Sequence, residues 1–243
     1  MSGSPAQLAA KAVSVRFGGL FALSGVDVAI EAGEMLGLIG ANGAGKSTLI
    51  NVLSGFQRPS AGEVKLGSRS LVGPPPHRVA RLGVSRTFQS VRLFRELSVY
   101  DNVAAAAAVL GKHAPDPADL LKAMDLLSQS GRPASSLPYA HQRRLAIARA
   151  LALKPQFLLL DEPAAGMTPE EVRELDQALV SLRKRTGVGI LLVEHNMALV
   201  MGVCERVVVL DGGRVIAQGP PHAVRRDRAV RRAYLGHTAE AAA

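Results

Sequence analysis

Nine consecutive residues, Gly40-Ala41-Asn42-Gly43-Ala44-Gly45-Lys46-Ser47-Thr48, follow the spacing G-x-x-x-x-G-K-S/T, which suits the gripping of a phosphate chain. Glycines let the backbone curl until several N–H groups converge on phosphate oxygens. A helix opening at Lys46 would add the partial positive charge of its N-terminus. Lys46 would bring a point charge to the outer phosphates, and Ser47 a hydroxyl to Mg²⁺. Further along, Phe157-Leu158-Leu159-Leu160-Asp161-Glu162 is an apolar run that ends in two acids. A buried strand explains the run but not the adjacent carboxylates. Alone, such a pair could equally begin a loop or cap a helix. Downstream of a phosphate cradle, Asp161 is expected to help hold the Mg²⁺ shell and Glu162 to activate or orient water.

These residues need a scaffold that brings distant segments together. Met35 to Ile39 reads as a strand leading into the glycines, and Lys46 to Leu53 as the helix that follows. Phe157 to Leu160, a helix from Pro169 to Arg185 and a strand from Gly189 to Val193 alternate as in a parallel sheet. Near the start, Val13 to Phe17 and Val26 to Ile30 alternate like half-exposed strands, with Gly18-Gly19 and Ser24-Gly25 marking turns. Glu63 to Leu66 and Ser85 to Phe88 read as further strands, with a loop at Gly73-Pro74-Pro75-Pro76. From Val99 to about Ser130 the pattern is helical, split by Pro115 and Pro117, and another helix runs from Gln142 to Leu153. Arg206 to Leu210 and Arg214 to Ala217 flank a turn at Asp211-Gly212-Gly213, a late hairpin. The expectation is one α/β domain over residues 8–236, a P-loop NTPase core with an antiparallel β subdomain. A short helical insert occupies about 91–150, and 1–7 and 237–243 read as flexible tails.

Composition narrows the setting. The 243 residues are 48% hydrophobic and 20% charged, enough apolar mass for one sizeable core. Apolar runs are strand-sized, far below the roughly 20 residues that cross a bilayer. The start lacks the pattern of a signal peptide. A single cysteine, Cys204, rules out an internal disulfide and suits a reducing compartment. The net charge is +9, and its densest basic run is Arg225, Arg226, Arg228, Arg231 and Arg232, which read first as the solvated face of a short terminal helix. A nucleic-acid partner is not expected.

The order of these motifs resembles the ATP-binding subunits of ABC transporters over about residues 8–236. The resemblance implies ATP and Mg²⁺ as ligands. It places Phe17 where an aromatic ring stacks on adenine, and Gln89, in Arg86-Thr87-Phe88-Gln89, at the position that senses Mg²⁺ and the γ-phosphate. Ala164 to Thr168 match the D-loop, and His195, in Val193-Glu194-His195-Asn196, matches the switch histidine. A narrower likeness joins Arg16-Phe17-Gly18-Gly19, the stretch from Arg81 to Leu97, Glu162-Pro163-Ala164-Ala165-Gly166-Met167 and Ala233-Tyr234-Leu235-Gly236 to the G-type subunit of branched-chain amino-acid importers. That system implies an F-type ATPase as heterodimer partner, transmembrane permeases, a periplasmic binding protein, and a place on the cytoplasmic face of the inner membrane. The F-type subunit usually carries a glutamate at the position of Gln89. Similar subunits serve urea and amide uptake and lipopolysaccharide export.

One stretch departs from the family pattern. The signature that closes over ATP on the partner reads Leu137-Pro138-Tyr139-Ala140-His141, where L-S-G-G-Q or L-S/A-Y-G-D/E/Q is usual. Pro138 lacks a hydroxyl and a backbone N–H, and Ala140 adds a methyl where close backbone approach is wanted. An asymmetric dimer is expected, with one competent site and one, closed by this signature, that turns over slowly. A regulatory subunit with little turnover is the alternative, against which intact Glu162, His195 and Gln89 count.

Overall fold

A computed structural model describes residues 7–195 and 197–233. The chain opens with a long hairpin, β1 (Gln7–Phe17) and β2 (Leu20–Glu31), then β3 (Met35–Ile39) and α1 (Lys46–Leu53). Next come β4 (Ala61–Leu66), β5 (Arg69–Ser70), α2 (Pro76–Leu82) and β6 (Val84–Arg86). A helical segment follows with α3 (Val99–Ala107), α4 (Pro117–Ala123) and α5 (Tyr139–Leu151). The chain then alternates through β7 (Phe157–Asp161), α6 (Pro169–Thr186), β8 (Gly189–Val193), α7 (Met197–Val203), β9 (Arg206–Asp211), β10 (Arg214–Gly219) and α8 (Pro221–Arg226).

The strands form two sheets. One is antiparallel, in the order β2-β1-β4-β5; the other has the order β10-β9-β3-β8-β7-β6 and is parallel except for β10. Strands β3, β7 and β8 are buried along their whole length, which is why each reads as an unbroken apolar run apart from glycine and the terminal Asp161. Their period of two sends alternate side chains to opposite faces. Leu158, Leu160, Ile190 and Leu192 pack with the helices α3, α5 and α6. Phe157, Leu159, Leu191 and Val193 pack with α1 and the antiparallel sheet. The parallel sheet is thus the middle of three layers, and the cradle and the acid pair emerge from the C-terminal ends of β3 and β7, which flank β8.

Local signals account for several boundaries. Helix α6 starts on a reciprocal cap between Thr168 and Glu171, with Pro169 in its first turn, and ends on Gly187 at φ 67°. Other expectations need correction. Ser24-Gly25 is not a turn but an irregularity inside β2, where Ser14 Oγ accepts the Gly25 N–H at 2.9 Å. Pro76 is not loop but the first residue of α2, because its ring fixes a helical φ and gives up an N–H that the first turn leaves unpaired anyway. Helix α5 begins at Tyr139 rather than Gln142, since Pro138 serves as its N-terminal boundary. Gln7, placed in a tail by the sequence, pairs with Glu31 in the first hairpin. The remainder of the tails, Tyr234-Leu235-Gly236 and Asn196 lie outside the described residues.

Candidate functional site

Gly45 caps α1 in the left-handed region at φ 106°, and Gly43 lies at φ 82°. A methyl on Gly45 would stand 2.7 Å from the Ala22 carbonyl oxygen and 2.8 Å from Leu23 Cδ2, so only glycine fits this turn against β2. The loop is tied down from outside, with Gly213 N–H donating to the Ala44 carbonyl at 3.1 Å. Among the described residues, the N–H groups of Gly43, Gly45, Lys46, Ser47 and Thr48 have no protein acceptor. They form a concave set of free donors at a helix N-terminus, which fits a chain of phosphate oxygens. Lys46 Nζ lies inside the turn, donating to the carbonyls of Gly40 at 2.7 Å and Ala41 at 2.9 Å. Burial lowers its pKa, while Glu162 and then Asp161 push it back up.

A cavity of about 250 Å³ lies on this loop, lined by Asn42, Gly43, Gly45, Lys46, Ser47 and Thr48 together with Ala22, Gln89 and Glu162. Gln89 Nε2 donates to Glu162 Oε2 at 3.0 Å across 73 residues of sequence. Glu162 sits at φ 47°, an uncommon conformation for a non-glycine residue. Its N–H is held by the Val193 carbonyl at 2.9 Å, fixing the turn that follows β7. His195 is exposed, and its Nδ1 stands 3.8 Å from Glu162 Oε1, beyond hydrogen-bond length. Tertiary structure thus joins the cradle, Gln89 and Glu162, with His195 beside Glu162 but outside the cavity lining.

Phe17, Asp161 and His195 stand outside the lining of this cavity, as do Gly40, Ala41 and Ala44 of the loop itself. Phe17 is at the tip of the β1–β2 hairpin, exposed, and is not among the residues lining the cavity. Asp161 is buried and does not line the cavity; Arg86 donates to its Oδ2 at 3.1 Å. Burial raises the Asp161 pKa; Arg86 opposes that and the Glu162 charge adds to it, so desolvation outweighs the ion pair. Ser47, Gln89 and Asp161 supply only oxygen among their metal-binding atoms, a donor set that suits Mg²⁺ shared with phosphates.

The signature segment forms the start of α5. Pro138 and Tyr139 are exposed, but Ala140 is buried, so its methyl is turned into the protein rather than outward. No side chain caps this helix. His141 Nδ1 is 3.0 Å from Gln129 Nε2, and the Tyr139 ring lies against Gly166 of the segment following Glu162. Sequence reasoning missed Glu194, which is 1% exposed and accepts the Ala164 N–H at 2.9 Å. Burial raises its pKa. It also missed Asp176 on α6, raised to about 6 by burial and by the Glu194 charge. An acid after an apolar strand was the only signal for Glu194; Asp176 gave none.

A family model described as ABC transporter matches residues 23–165, and another, described as branched-chain amino acid ATP-binding cassette transporter, matches residues 214–240. The chain is 42% identical to the high-affinity branched-chain amino acid transport ATP-binding protein LivG of Salmonella typhimurium, covering 94% of this chain and 97% of the relative. It is 38% identical to the corresponding protein BraF of Pseudomonas aeruginosa, over 92% and 95% of the two chains. Among solved structures it resembles the ADP conformation of MJ1267, an ATP-binding cassette of an ABC transporter. The TM-score there is 0.87 at 26% identity, covering 96% of this chain and 100% of the other. The free donors around Lys46, the acid pair after β7 and these likenesses agree: the chain belongs to the nucleotide-binding ATPase subunits of the ABC transporter family.

Proposed function

We propose that the chain binds ATP with Mg²⁺ at the loop from Gly40 to Thr48 and hydrolyses it to drive branched-chain amino-acid import through partner permeases. The single observation that carries the catalytic part is the Gln89–Glu162 hydrogen bond at the wall of the phosphate-sized cavity. The free N–H groups bind the phosphates, and Lys46 neutralises their charge. Mg²⁺, held by Ser47, Gln89 and Asp161, would supply charge neutralisation at the transferring phosphoryl group. Glu162 orients water and takes its proton, Gln89 keeps that carboxylate in place, and His195 approaches the outer phosphate from the other side. Phe17, exposed at the hairpin tip, would stack on the adenine ring. Likeness to LivG and BraF supports the solute class.

The partners in this reading are an F-type ATPase, two permeases and, indirectly, a periplasmic binding protein, with the chain peripheral on the cytoplasmic face of the membrane. No helix among the described residues is long and apolar enough to cross a bilayer. Lys46→Ala is expected to abolish ATP binding in calorimetry. Glu162→Gln should leave binding intact and cut hydrolysis by roughly 10²–10⁴-fold. The solute is tested in reconstituted transporter: leucine-loaded binding protein should stimulate ATP hydrolysis, and stimulation by urea or amides instead would overturn that assignment.

Pro138 at the start of α5, with neither a hydroxyl nor a backbone N–H to offer a phosphate, supports a second element, an asymmetric dimer in which the site closed by this signature is slow. In the purified heterodimer, Glu162→Gln should then cost more activity than the equivalent change in the partner. Equal losses would refute the asymmetry.

A further inference from the structure

Arg86 ends β6 beside the site but outside its cavity, and its guanidinium is the most heavily used polar group in the region. One nitrogen donates to Asp161 Oδ2 at 3.1 Å. Another donates to Asn51 Oδ1 at 2.6 Å and Ser54 Oγ at 3.2 Å, both near the end of α1. The third donates to the Thr87 carbonyl at 3.3 Å. Its charge lies 5.3 Å from the Phe56 ring and 4.6 Å from the Phe88 ring, which themselves meet edge-on at 5.4 Å. The side chain is 8% exposed and that of Asp161 10%.

This is an inter-element clamp. It joins the helix that carries the cradle, the strand that carries the acid pair and the segment that carries Gln89. Arg86 takes Oδ2 of Asp161, and among the described residues no protein donor reaches Oδ1. One oxygen is therefore anchored while the other is left available. Only a planar fork with several directed N–H groups reaches all these partners at once; an ammonium can keep the charge but not the geometry.

We infer that Arg86 is a positioning residue that fixes the Asp161 carboxylate against α1 and so sets how much Mg²⁺ adds to nucleotide binding. This rests on the nucleotide-site reading above. Groups that orient a metal-binding carboxylate commonly govern affinity on the order of 10–100-fold when removed.

The test is calorimetric titration of the full chain with ADP, once with Mg²⁺ and once with a chelator. The readout is the ratio of the two dissociation constants. Arg86→Gln should shrink that ratio about tenfold while metal-free binding, which depends on the backbone donors and Lys46, stays within about twofold. Arg86→Lys should fall between wild type and Arg86→Gln. Asp161→Asn combined with Arg86→Gln should cost no more than Asp161→Asn alone, because the arginine acts through that carboxylate. An unchanged ratio in Arg86→Gln, or fully multiplicative effects in the double variant, overturns the proposal. If circular dichroism shows Arg86→Gln to be misfolded, Arg86→Lys carries the test, and an unchanged ratio there overturns it. Wild-type protein that binds ADP in neither condition would overturn the nucleotide-site reading itself.

Discussion

Asn102 offers a demanding check on the helical subdomain, because one side chain holds a whole turn. It is 0% exposed on α3. Its Oδ1 accepts the Phe94 N–H at 3.0 Å, and its Nδ2 donates to the carbonyls of Phe94 at 2.9 Å, Leu97 at 3.3 Å and Ser98 at 3.0 Å. The amide has two N–H groups and shares them among three carbonyls. Asn102→Ala would leave the Phe94 N–H without its acceptor and take the amide donor away from the carbonyls of Phe94, Leu97 and Ser98, which keep the backbone N–H groups of Leu97, Ala134 and Asn102. At about 1 kcal/mol for each lost bond, the expected destabilisation is about 3 kcal/mol, some of it recovered where water reaches the turn. In a chain of this size that is roughly a 6–12 °C fall in Tm. Asn102→Asp should be worse near neutral pH, because a carboxylate turns an acceptor toward carbonyl oxygens that had donors. It should recover part of the loss as pH falls and the acid is protonated. Urea unfolding followed by circular dichroism at pH 5 and pH 8 measures both. A loss below about 1 kcal/mol for Asn102→Ala would refute the clamp, as would an Asp variant no less stable than the Ala variant at pH 8.

Three further outcomes follow from the site. Gly45→Ala should lower nucleotide affinity at least about tenfold and reduce Tm, because φ 106° and a 2.7 Å approach to the Ala22 oxygen leave no room for a methyl; unaltered calorimetric binding would contradict this. Asp176 titrates near 6 in the folded chain against an ordinary 3.8, so the native state holds the extra proton and the charge destabilises it. Wild-type stability from this group should therefore decline as pH rises from about 4 to about 6 and stay low above. Asp176→Asn should stabilise at pH 7.5 by about 1 kcal/mol once solvent screening of this half-buried group is allowed for, with a smaller gain at pH 5, in denaturant unfolding across that range. Ala140→Gly should cost about 1 kcal/mol of stability, because this buried alanine lies inside the first turn of α5; a gain in Tm would show that the methyl is strained instead.

Much of this molecule is legible in its residues. The run Gly40 to Thr48 announced phosphate chemistry because that chemistry demands particular residue types at fixed short spacing. The strands β3, β7 and β8 were legible because burial on both faces writes itself as an uninterrupted apolar stretch. Helix α1 was found with its observed ends, since glycine and lysine mark its start. Short helices with weak periodicity, α2 and α7, were not separated from loop. The Ser24-Gly25 irregularity was misread because glycine marks bulges and turns alike.

The linear pattern is therefore informative about local features: which segments could grip phosphate, which strands are buried, and which family order the motifs follow. Tertiary structure decided what meets what. The Gln89 amide on the Glu162 carboxylate, Glu194 beneath the segment after that carboxylate, and Arg86 between Asp161 and Asn51 join residues 73, 30, 75 and 35 positions apart. No spacing rule reaches that far, because strand order in the parallel sheet, not distance along the chain, brings β6, β7 and β8 side by side. The same packing turns Ala140 inward and engages Asp161 with arginine, consequences of burial and of neighbouring charge that one-dimensional patterns do not carry.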